Sequence, residues 1–184
     1  GRYTDVPDLK RDKEEVEDYY KAQKLGLICV GVCRGAQLLT VLNGGKLIQH
    51  VGGHNNNHNY VDIYGTALII PSSHHQMMLP NEDGDCTIIG ISPSNFTGRY
   101  LNGDNKEITF TKNFMEIETC YFKKTNSLCI QTHPDWSIDT GVKIFGGYLL
   151  KLLNKEVILP HIDLHRNYRI IGKLPIERIQ LKKN

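Results

Sequence analysis

The chain has 184 residues, of which 40% are hydrophobic, and its formal net charge at pH 7 is +2. This length and apolar content are typical of one domain with a hydrophobic core, and the small net charge gives no argument for nucleic-acid binding. No apolar run approaches the ~20 residues that a membrane-spanning helix needs, and the first residues do not have the pattern of a signal peptide. We therefore expect a soluble protein without a nucleic-acid or membrane partner.

The five cysteines are scattered through the sequence. An odd number without regular spacing does not suggest a disulfide framework, and free thiols are typical of a reducing compartment. We therefore predict a cytoplasmic location. Four of the cysteines lie in apolar or strand-like surroundings, where we interpret them as small buried hydrophobic residues: Cys29, Cys86, Cys120 and Cys129.

The pattern of apolar residues predicts alternating helices and strands. Residues 10–24 are charged and are expected to form an amphipathic surface helix, followed by a strand at 25–32 and a helix at 34–42. Glycine- and asparagine-rich stretches after this helix predict polar loops. The remaining predicted elements are strands at 60–70 (broken at Gly65), 87–92, 114–122 and 128–132, and a last helix at 138–153. This order predicts an α/β fold.

The junction between the first strand and the next helix is the most informative part of the sequence. Residues 31–37 are GVCRGAQ, so Cys33 lies on a sharp strand-to-helix turn between two glycines. Such a turn is typical of a nucleophile elbow. At a helix N-terminus we expect the thiolate form of Cys33 to be favoured. The backbone N–H of Arg34 would face an oxyanion formed beside the sulfur.

A candidate base follows a later strand, where residues 131–136 are QTHPDW. His133 lies just past the predicted strand end, where catalytic groups of open parallel sheets collect. Asp135 could reach the other ring nitrogen of His133 and fix its tautomer. The alternative is that Asp135 is only the N-cap of the segment that begins at Trp136.

Together, these two stretches resemble the class I glutamine amidotransferase superfamily. Residues 31–37 match its nucleophile motif, G-x-C-x-G-x-Q, in full, and His133-Pro134-Asp135 matches its H-P-E motif with Asp in place of Glu. The Cys-Arg-Gly form of the elbow is most similar to the γ-glutamyl peptidase branch (peptidase C26), which includes γ-glutamyl-γ-aminobutyrate hydrolases. Smaller matches occur at residues 44–50, 53–58, 73–76 and 116–118.

The resemblance implies a flavodoxin-like, doubly wound, mostly parallel sheet with flanking helices. It also implies hydrolysis of a γ-glutamyl amide bond through a glutamyl thioester, with Cys33, His133 and Asp135 as the catalytic triad and no cofactor. The alternatives are a glutaminase subunit that delivers ammonia to a separate synthetase, and a non-catalytic member with a binding or structural role. The oxyanion and substrate-binding positions that the resemblance implies are Gly1, Arg34, Gln37, His75 and Gln76.

The resemblance covers residues 1–154, and the family's first βα units have no counterpart in front of Gly1. We therefore expect a domain whose N-terminal strands are missing from this chain, and a second chain could supply them.

Residues 155–184 form a basic extension with seven lysines and arginines against three acidic residues. We interpret this extension as a solvated cover strand and loose end; a docking segment for an acidic partner is the alternative.

A metal site at His54 and His58 is a further alternative, because histidines four residues apart can share a zinc ion on a helix. Residues 55–57 are all asparagine, which makes a poor helix, and no cysteine or carboxylate completes the set nearby in the sequence. The sequence therefore predicts no metal ligands.

Overall fold

The computed structural model describes residues 7–65, 67–81, 85–93, 97, 99–110, 114–141, 144, 146–155 and 180–181. The helices are α1 (Leu9–Lys24), α2 (Arg34–Leu42), α3 (Ile138–Gly141) and α4 (Gly147–Leu153). The strands are β1 (Cys29–Val32), β2 (Lys46–Ile48), β3 (His58–Asp62), β4 (Ala67–Ile70), β5 (Met77–Leu79), β6 (Cys86–Ser92), β7 (Tyr100–Leu101), β8 (Glu107–Thr109), β9 (Glu116–Phe122), β10 (Ser127–Ile130) and β11 (Gln180–Leu181). None of the helices described combines the length and apolarity needed to cross a bilayer.

The main sheet has six strands in the order β1-β10-β9-β6-β3-β4. Strands β1 and β10 pair in parallel, whereas every other pair in this sheet is antiparallel. Tight turns explain much of the antiparallel pairing, since β3 and β4 are joined through Gly65 at φ +82° and β9 and β10 through Asn126 at φ +49°. The α/β class is confirmed. Over the residues described the sheet is mixed with a single parallel pair, whereas the resemblance implied a mostly parallel sheet.

Helix α1 begins and ends at recognisable capping residues. Asp8 accepts a 3.0 Å hydrogen bond from the backbone N–H of Arg11, which satisfies one of the free donors of the first turn. At the other end, Leu27 N–H donates to the Ala22 carbonyl after Gly26, whose φ is +66°. Residues 25–27 therefore complete the helix cap, and the predicted strand start at residue 25 is wrong, since β1 begins at Cys29.

The core consists of packed apolar clusters on the main sheet. On one side, Tyr60 is fully buried among aliphatic side chains, and its hydroxyl contacts Thr119 at 3.0 Å and Tyr148 of α4 at 2.9 Å. Its ring occupies the space beside Gly90, where a Cβ atom would lie 2.1 Å from the Tyr60 hydroxyl oxygen. On the other side, α2 packs through Ala36 and Leu39. These contacts fix α2, and with it the turn at residue 33, against the sheet.

Several predicted features can be placed only in part. The predicted helix at 138–153 corresponds to α3 and α4. The predicted extension, residues 155–184, lies outside the described residues except for Lys155 and β11. Strand β1 is at one edge of the described sheet, with Val30 39% exposed.

Candidate functional site

Cys33 occupies a strained backbone conformation between β1 and α2. Its φ is +49° and its ψ is −108°, a region that a non-glycine residue rarely adopts. Its N–H donates a 2.8 Å hydrogen bond to the carbonyl of Ile130 at the end of β10, and its own carbonyl accepts one of 3.1 Å from Gln37 N–H in α2. The turn is thus held from both sides. This conformation is the strained strand-to-helix turn expected of a nucleophile elbow.

The two glycines of the elbow motif have different roles in the fold. A Cβ atom on Gly31 would lie 2.4 Å from both the carbonyl carbon and the oxygen of Gly35, which are backbone atoms that cannot move aside. A Cβ atom on Gly35 would meet nothing within 4 Å. Glycine is therefore required at position 31 for the close approach of the strand to the first turn of α2, whereas packing leaves room for a side chain at position 35.

The surroundings of Cys33 do not favour the thiolate. Burial raises the pKa of the Cys33 thiol above its ordinary value, the backbone N–H of Arg34 opposes this by hydrogen bonding, and the negative charges of Asp135 and Glu118 add to the increase. The expected stabilisation of the thiolate at the helix N-terminus is thus outweighed by desolvation. Cys33 needs a base to remove its proton, while Arg34 N–H has the direction expected of an oxyanion donor.

His133 and Asp135 lie next to one another after β10. The Asp135 Oδ1 atom is 3.3 Å from Nδ1 of His133, and the imidazole stacks on the Trp136 ring with centroids 4.0 Å apart. The backbone N–H of His133 donates to the Pro71 carbonyl at 2.8 Å. The imidazole is therefore held by two contacts of its ring, and the hydrogen bond to Pro71 holds the backbone of the same residue. The Asp135 side chain is 48% exposed, which weakens its charge effect on the ring.

Cys33 and His133, the predicted nucleophile and base, follow neighbouring parallel strands, since β1 pairs with β10 from Cys29–Ser127 to Val32–Ile130. Both turns begin at the carboxyl ends of their strands, and these ends lie on the same side of the sheet because the strands are parallel. Among the hydrogen bonds of the described residues, none joins Cys33 to His133 directly. The approach of His133 to the sulfur remains a prediction.

A cavity of about 740 Å³ opens in front of Cys33. It is lined by Gln37 from α2 and by His75 and Gln76 from the segment before β5, together with residues of α1. These are three of the positions predicted to bind substrate. Neither His133 nor Asp135 lines this cavity, whereas the charged residues Asp8, Arg11, Asp12 and Arg34 do.

The predicted substrate-binding side chains also hold the site together. Gln37 Nε2 donates to the Gln76 carbonyl at 2.9 Å and lies 3.4 Å from Gln131 Oε1. The Arg34 guanidinium pairs with Asp12 and Glu15 of α1. Gln76 Nε2 donates to Gln49 Oε1 at 2.6 Å. The remaining predicted position, Gly1, lies outside the described residues.

Comparison with known proteins gives a partial family match and a similar fold. A family model described as peptidase C26 matches residues 2–85. The fold is similar to that of a glutamine amidotransferase from Thermotoga maritima, with a TM-score of 0.51 at 14% identity over 83% of this chain and 61% of that chain. The chain therefore has a glutamine amidotransferase-like fold, and its N-terminal part is similar to the peptidase C26 family. It spans less than two thirds of the Thermotoga protein, so the similarity concerns part of that fold.

Two further solved structures are similar to this chain at lower TM-scores. A protein from Thermoplasma acidophilum, described as part of a putative GMP synthase, is 16% identical over 79% of this chain and 71% of that chain, with a TM-score of 0.44. A glutamine amidotransferase from Methylobacillus flagellatus is 13% identical over 81% of this chain and 53% of that chain, with a TM-score of 0.42. No curated protein matches the chain.

This amidotransferase-like domain also contains a buried cluster that sequence reasoning did not assemble. His54, His58, His74 and Glu118 are each at most 4% exposed, and one ligand atom from each lies within 4.8 Å of the others. Glu118 comes from β9, far along the sequence from the histidines. The signal that could have found it was the i, i+2 spacing of Glu116 and Glu118, which places both carboxylates on one face of a strand.

Glu116 is not one of the four clustered residues but contacts the outward ring nitrogen of His54. His54 Nε2 lies 3.1 Å from Glu116 Oε2, and the Tyr100 hydroxyl donates to Glu116 Oε1 at 3.0 Å. Burial alone would raise the pKa of Glu116, but the hydrogen bonds from His54 and Tyr100 and the charge of His54 hold it below its ordinary value. Burial likewise opposes charge on His54, yet Glu116 and Glu118 raise its pKa.

Proposed function

We propose that this protein hydrolyses γ-glutamyl amide bonds through a glutamyl thioester on Cys33. The observation that carries the proposal is the backbone of Cys33, which is held at φ +49° by a hydrogen bond to Ile130 on one side and by α2 on the other. Strained conformations of this kind persist at functional sites, because the surrounding structure must stabilise them. The peptidase C26 match over residues 2–85, which include the elbow, supports the same chemistry.

In the proposed reaction, the Cys33 sulfur attacks the side-chain carbonyl carbon of the γ-glutamyl group. The oxyanion that forms accepts a hydrogen bond from Arg34 N–H, and Gly1 is the proposed second donor. His133 takes the thiol proton and transfers it to the leaving amine, so the C–N bond breaks and the thioester remains. His133 then removes a proton from water, whose oxygen attacks the thioester carbonyl carbon. The C–S bond breaks, glutamate is released, and His133 returns the proton to the Cys33 sulfur.

The raised pKa of Cys33 makes the base essential to this proposal. Because burial favours the protonated thiol, little thiolate is present at neutral pH until His133 accepts the proton. Asp135, 3.3 Å from His133 Nδ1, would hold the ring in the tautomer whose Nε2 can accept. Its role is orientation and stabilisation of the imidazolium, as in other triads.

The cavity in front of Cys33 is suited to the glutamyl part of such a substrate. Its lining includes the cationic Arg11 and the anionic Asp8 as well as the polar His75 and Gln76. A γ-glutamyl group carries an α-carboxylate and an α-ammonium, which require charges of both signs. We propose that Gln37, His75 and Gln76 bind this end of the substrate, while the amine half extends towards solvent.

The open edge of β1 suggests that further strands complete the enzyme. Among the described residues, β1 pairs only with β10. Val30 on this strand is 39% exposed, and Leu27, just before it, is 51% exposed. An unpaired apolar edge strand is a site for strand addition. We propose that additional strands, in the same polypeptide or in a second chain, pair with β1 and bring the second oxyanion donor into place.

Glutamate release from glutamine and from a panel of γ-glutamyl amides tests the proposal. The wild-type chain should release glutamate, Cys33→Ala should abolish the release, and Cys29→Ala, which removes another thiol of the same strand region, should retain it. A glutamyl adduct on Cys33, detected by mass spectrometry after rapid quenching, would identify the thioester directly.

The alternatives give different results in this assay. Glutamine hydrolysis that appears only when a separate synthetase is added would identify an ammonia-delivering subunit. If no donor yields glutamate or a Cys33 adduct, with or without an added chain that completes the sheet, the hydrolase proposal is wrong and a binding role remains.

A further inference from the structure

The side chains of His54, His58, His74 and Glu118 converge on one buried point. His54 Nδ1 is 3.4 Å from His58 Nε2 and 3.4 Å from Glu118 Oε1. His58 Nε2 is 3.5 Å from the same carboxylate oxygen, and His74 Nε2 is 3.7 Å from Glu118 Oε2. The four groups come from the loop before β3, from β3 itself, from the segment before β5 and from β9.

The ring nitrogen of each histidine that points away from this centre has an oxygen partner. His58 Nδ1 lies 3.0 Å from the Asn59 carbonyl and His74 Nδ1 lies 2.9 Å from the Gln76 carbonyl. His54 Nε2 lies 3.1 Å from the Glu116 carboxylate. Since these oxygens only accept, the outward nitrogens carry the protons. In neutral imidazoles the inward nitrogens are then lone-pair donors, which is the arrangement that outer hydrogen bonds impose on metal-ligating histidines.

When the three imidazoles are neutral, no positive charge in the cluster balances the Glu118 carboxylate. Both carboxylate oxygens of Glu118 and Nε2 of His74 are buried without a hydrogen-bond partner among the described residues. The Glu118 side chain is fully buried, where an unpaired carboxylate is strongly unfavourable. Three imidazole lone pairs and one carboxylate that face each other repel unless a proton or a metal cation lies between them.

Four of the distances between the candidate ligand atoms are close to those of a tetrahedral metal site. With metal–ligand bonds of ~2.0–2.1 Å, neighbouring ligand atoms of a tetrahedral zinc site lie about 3.3–3.4 Å apart. Four of the separations, taken to either oxygen of Glu118, are 3.4 to 3.7 Å and are close to this value, and one ligand atom from each residue lies within 4.8 Å of the others. We propose that His54, His58, His74 and Glu118 bind one divalent transition-metal ion, with zinc as the favoured metal.

Four protein ligands in a buried position define a closed site, which is typical of structural rather than catalytic zinc. The ion would join the loop before β3 to the segment that contains His75 and Gln76. The Gln76 carbonyl is shared, since it accepts from His74 Nδ1 at 2.9 Å and from Gln37 Nε2 at 2.9 Å. The metal would thus support one wall of the cavity in front of Cys33 without taking part in the proposed hydrolysis.

The first experiment uses the wild-type chain. The protein is treated with a chelator, dialysed and titrated with Zn²⁺, and bound metal is measured by plasma mass spectrometry. One equivalent of zinc should bind and raise the melting temperature. Cobalt substitution should give the intense visible absorption of a tetrahedral site, in contrast to the weak bands of an octahedral one. Absence of zinc binding by the folded wild-type protein would overturn the proposal. Hydrogen bonds from protonated histidines would then hold the cluster together.

Variants locate the site. Glu118→Gln preserves the side-chain volume and should lose the zinc equivalent, as should His58→Gln, which serves as the second variant if Glu118→Gln does not fold. His50→Gln is the matched control outside the cluster and should retain zinc. Cys33→Ser should also retain it, which excludes the thiol as the ligand. If folded Glu118→Gln and His58→Gln bind zinc as tightly as the wild type, the metal lies elsewhere and the proposal is wrong.

Discussion

The backbone N–H of Cys33 donates a 2.8 Å hydrogen bond to the carbonyl oxygen of Ile130. This bond extends the parallel pairing of β1 and β10 by one residue beyond Val32. It anchors the candidate nucleophile to the strand from which His133 emerges three residues later. The backbone of Cys33 is therefore held to β10 by a sheet hydrogen bond, and the approach of its sulfur to His133 remains a prediction.

Alkylation of Cys33 by iodoacetamide should be slow at neutral pH and should accelerate as pH rises. The thiolate is the reactive form, and burial raises the pKa of this thiol, so the rate should increase about tenfold per pH unit up to a pKa above the ordinary ~8.5 of cysteine. Peptide mapping by mass spectrometry assigns the rate to Cys33, with Cys33→Ser as the blank. A rate already at its plateau at pH 7 would contradict the raised pKa.

His133→Ala should lower the rate of γ-glutamyl hydrolysis by ~10²–10⁴-fold, the usual contribution of a general base. Asp135→Asn should lower kcat by less than ~10²-fold, since its contact with His133 is long and partly exposed. Both rates are measured at saturating substrate over a range of pH. An unchanged rate in Asp135→Asn together with the loss in His133→Ala would show that Asp135 is only a capping residue and that the enzyme uses a Cys–His pair.

Alanine substitution should affect stability differently at the two elbow glycines. Gly31→Ala should destabilise the protein by at least the ~1–3 kcal/mol typical of overpacking, because the new Cβ meets fixed backbone atoms of Gly35. Gly35→Ala should leave stability nearly unchanged, since its Cβ meets no atom within 4 Å. Urea unfolding followed by circular dichroism measures both. Equal stability of the two variants would mean that the strand and helix do not approach as closely as described.

Gly90→Ala should also destabilise the fold, by about 1–3 kcal/mol. The new methyl group would lie 2.1 Å from the Tyr60 hydroxyl oxygen and 2.3 Å from the ring carbon that bears it, and Tyr60 is held by its hydrogen bonds to Thr119 and Tyr148. Gly52→Ala, with no atom within 4 Å of the new Cβ, is the control for urea unfolding. A Gly90→Ala variant as stable as this control would contradict the packing of Tyr60 on β6.

Local patterns in the sequence predicted local structure well. Helix α2 has the predicted bounds because a strained turn begins it and the Asn43-Gly44 pair ends it, with Gly44 at φ +81°. The break at Gly65 is confirmed as the turn between β3 and β4. The start of β1 was predicted wrongly because the apolar Leu25 and Leu27 resemble strand residues. Their backbone N–H groups instead donate to carbonyls of α1 and complete its C-terminal cap.

Long-range contacts could not be predicted in the same way. The histidine cluster needs Glu118, which shares neither a motif nor an element with the histidines and comes near them because β6 pairs with both β3 and β9. The asparagines between His54 and His58 are non-helical, as predicted, and the two histidines nevertheless converge because the loop folds back before β3. The pKa of Cys33 depends on burial, which the motif does not encode.

The parallel pairing of β1 with β10 has a consequence for the order of folding. Cys29 pairs with Ser127, so most of the described chain must be in place before this contact can close, whereas the hairpin of β9 and β10 needs only a short turn. Contacts between distant segments form late, since the entropy of the intervening loop is lost before they are gained. We expect refolding to restore the hairpins first and the pairing of β1 with β10 last, so that Cys33 and His133 come onto neighbouring strands only at the end of folding.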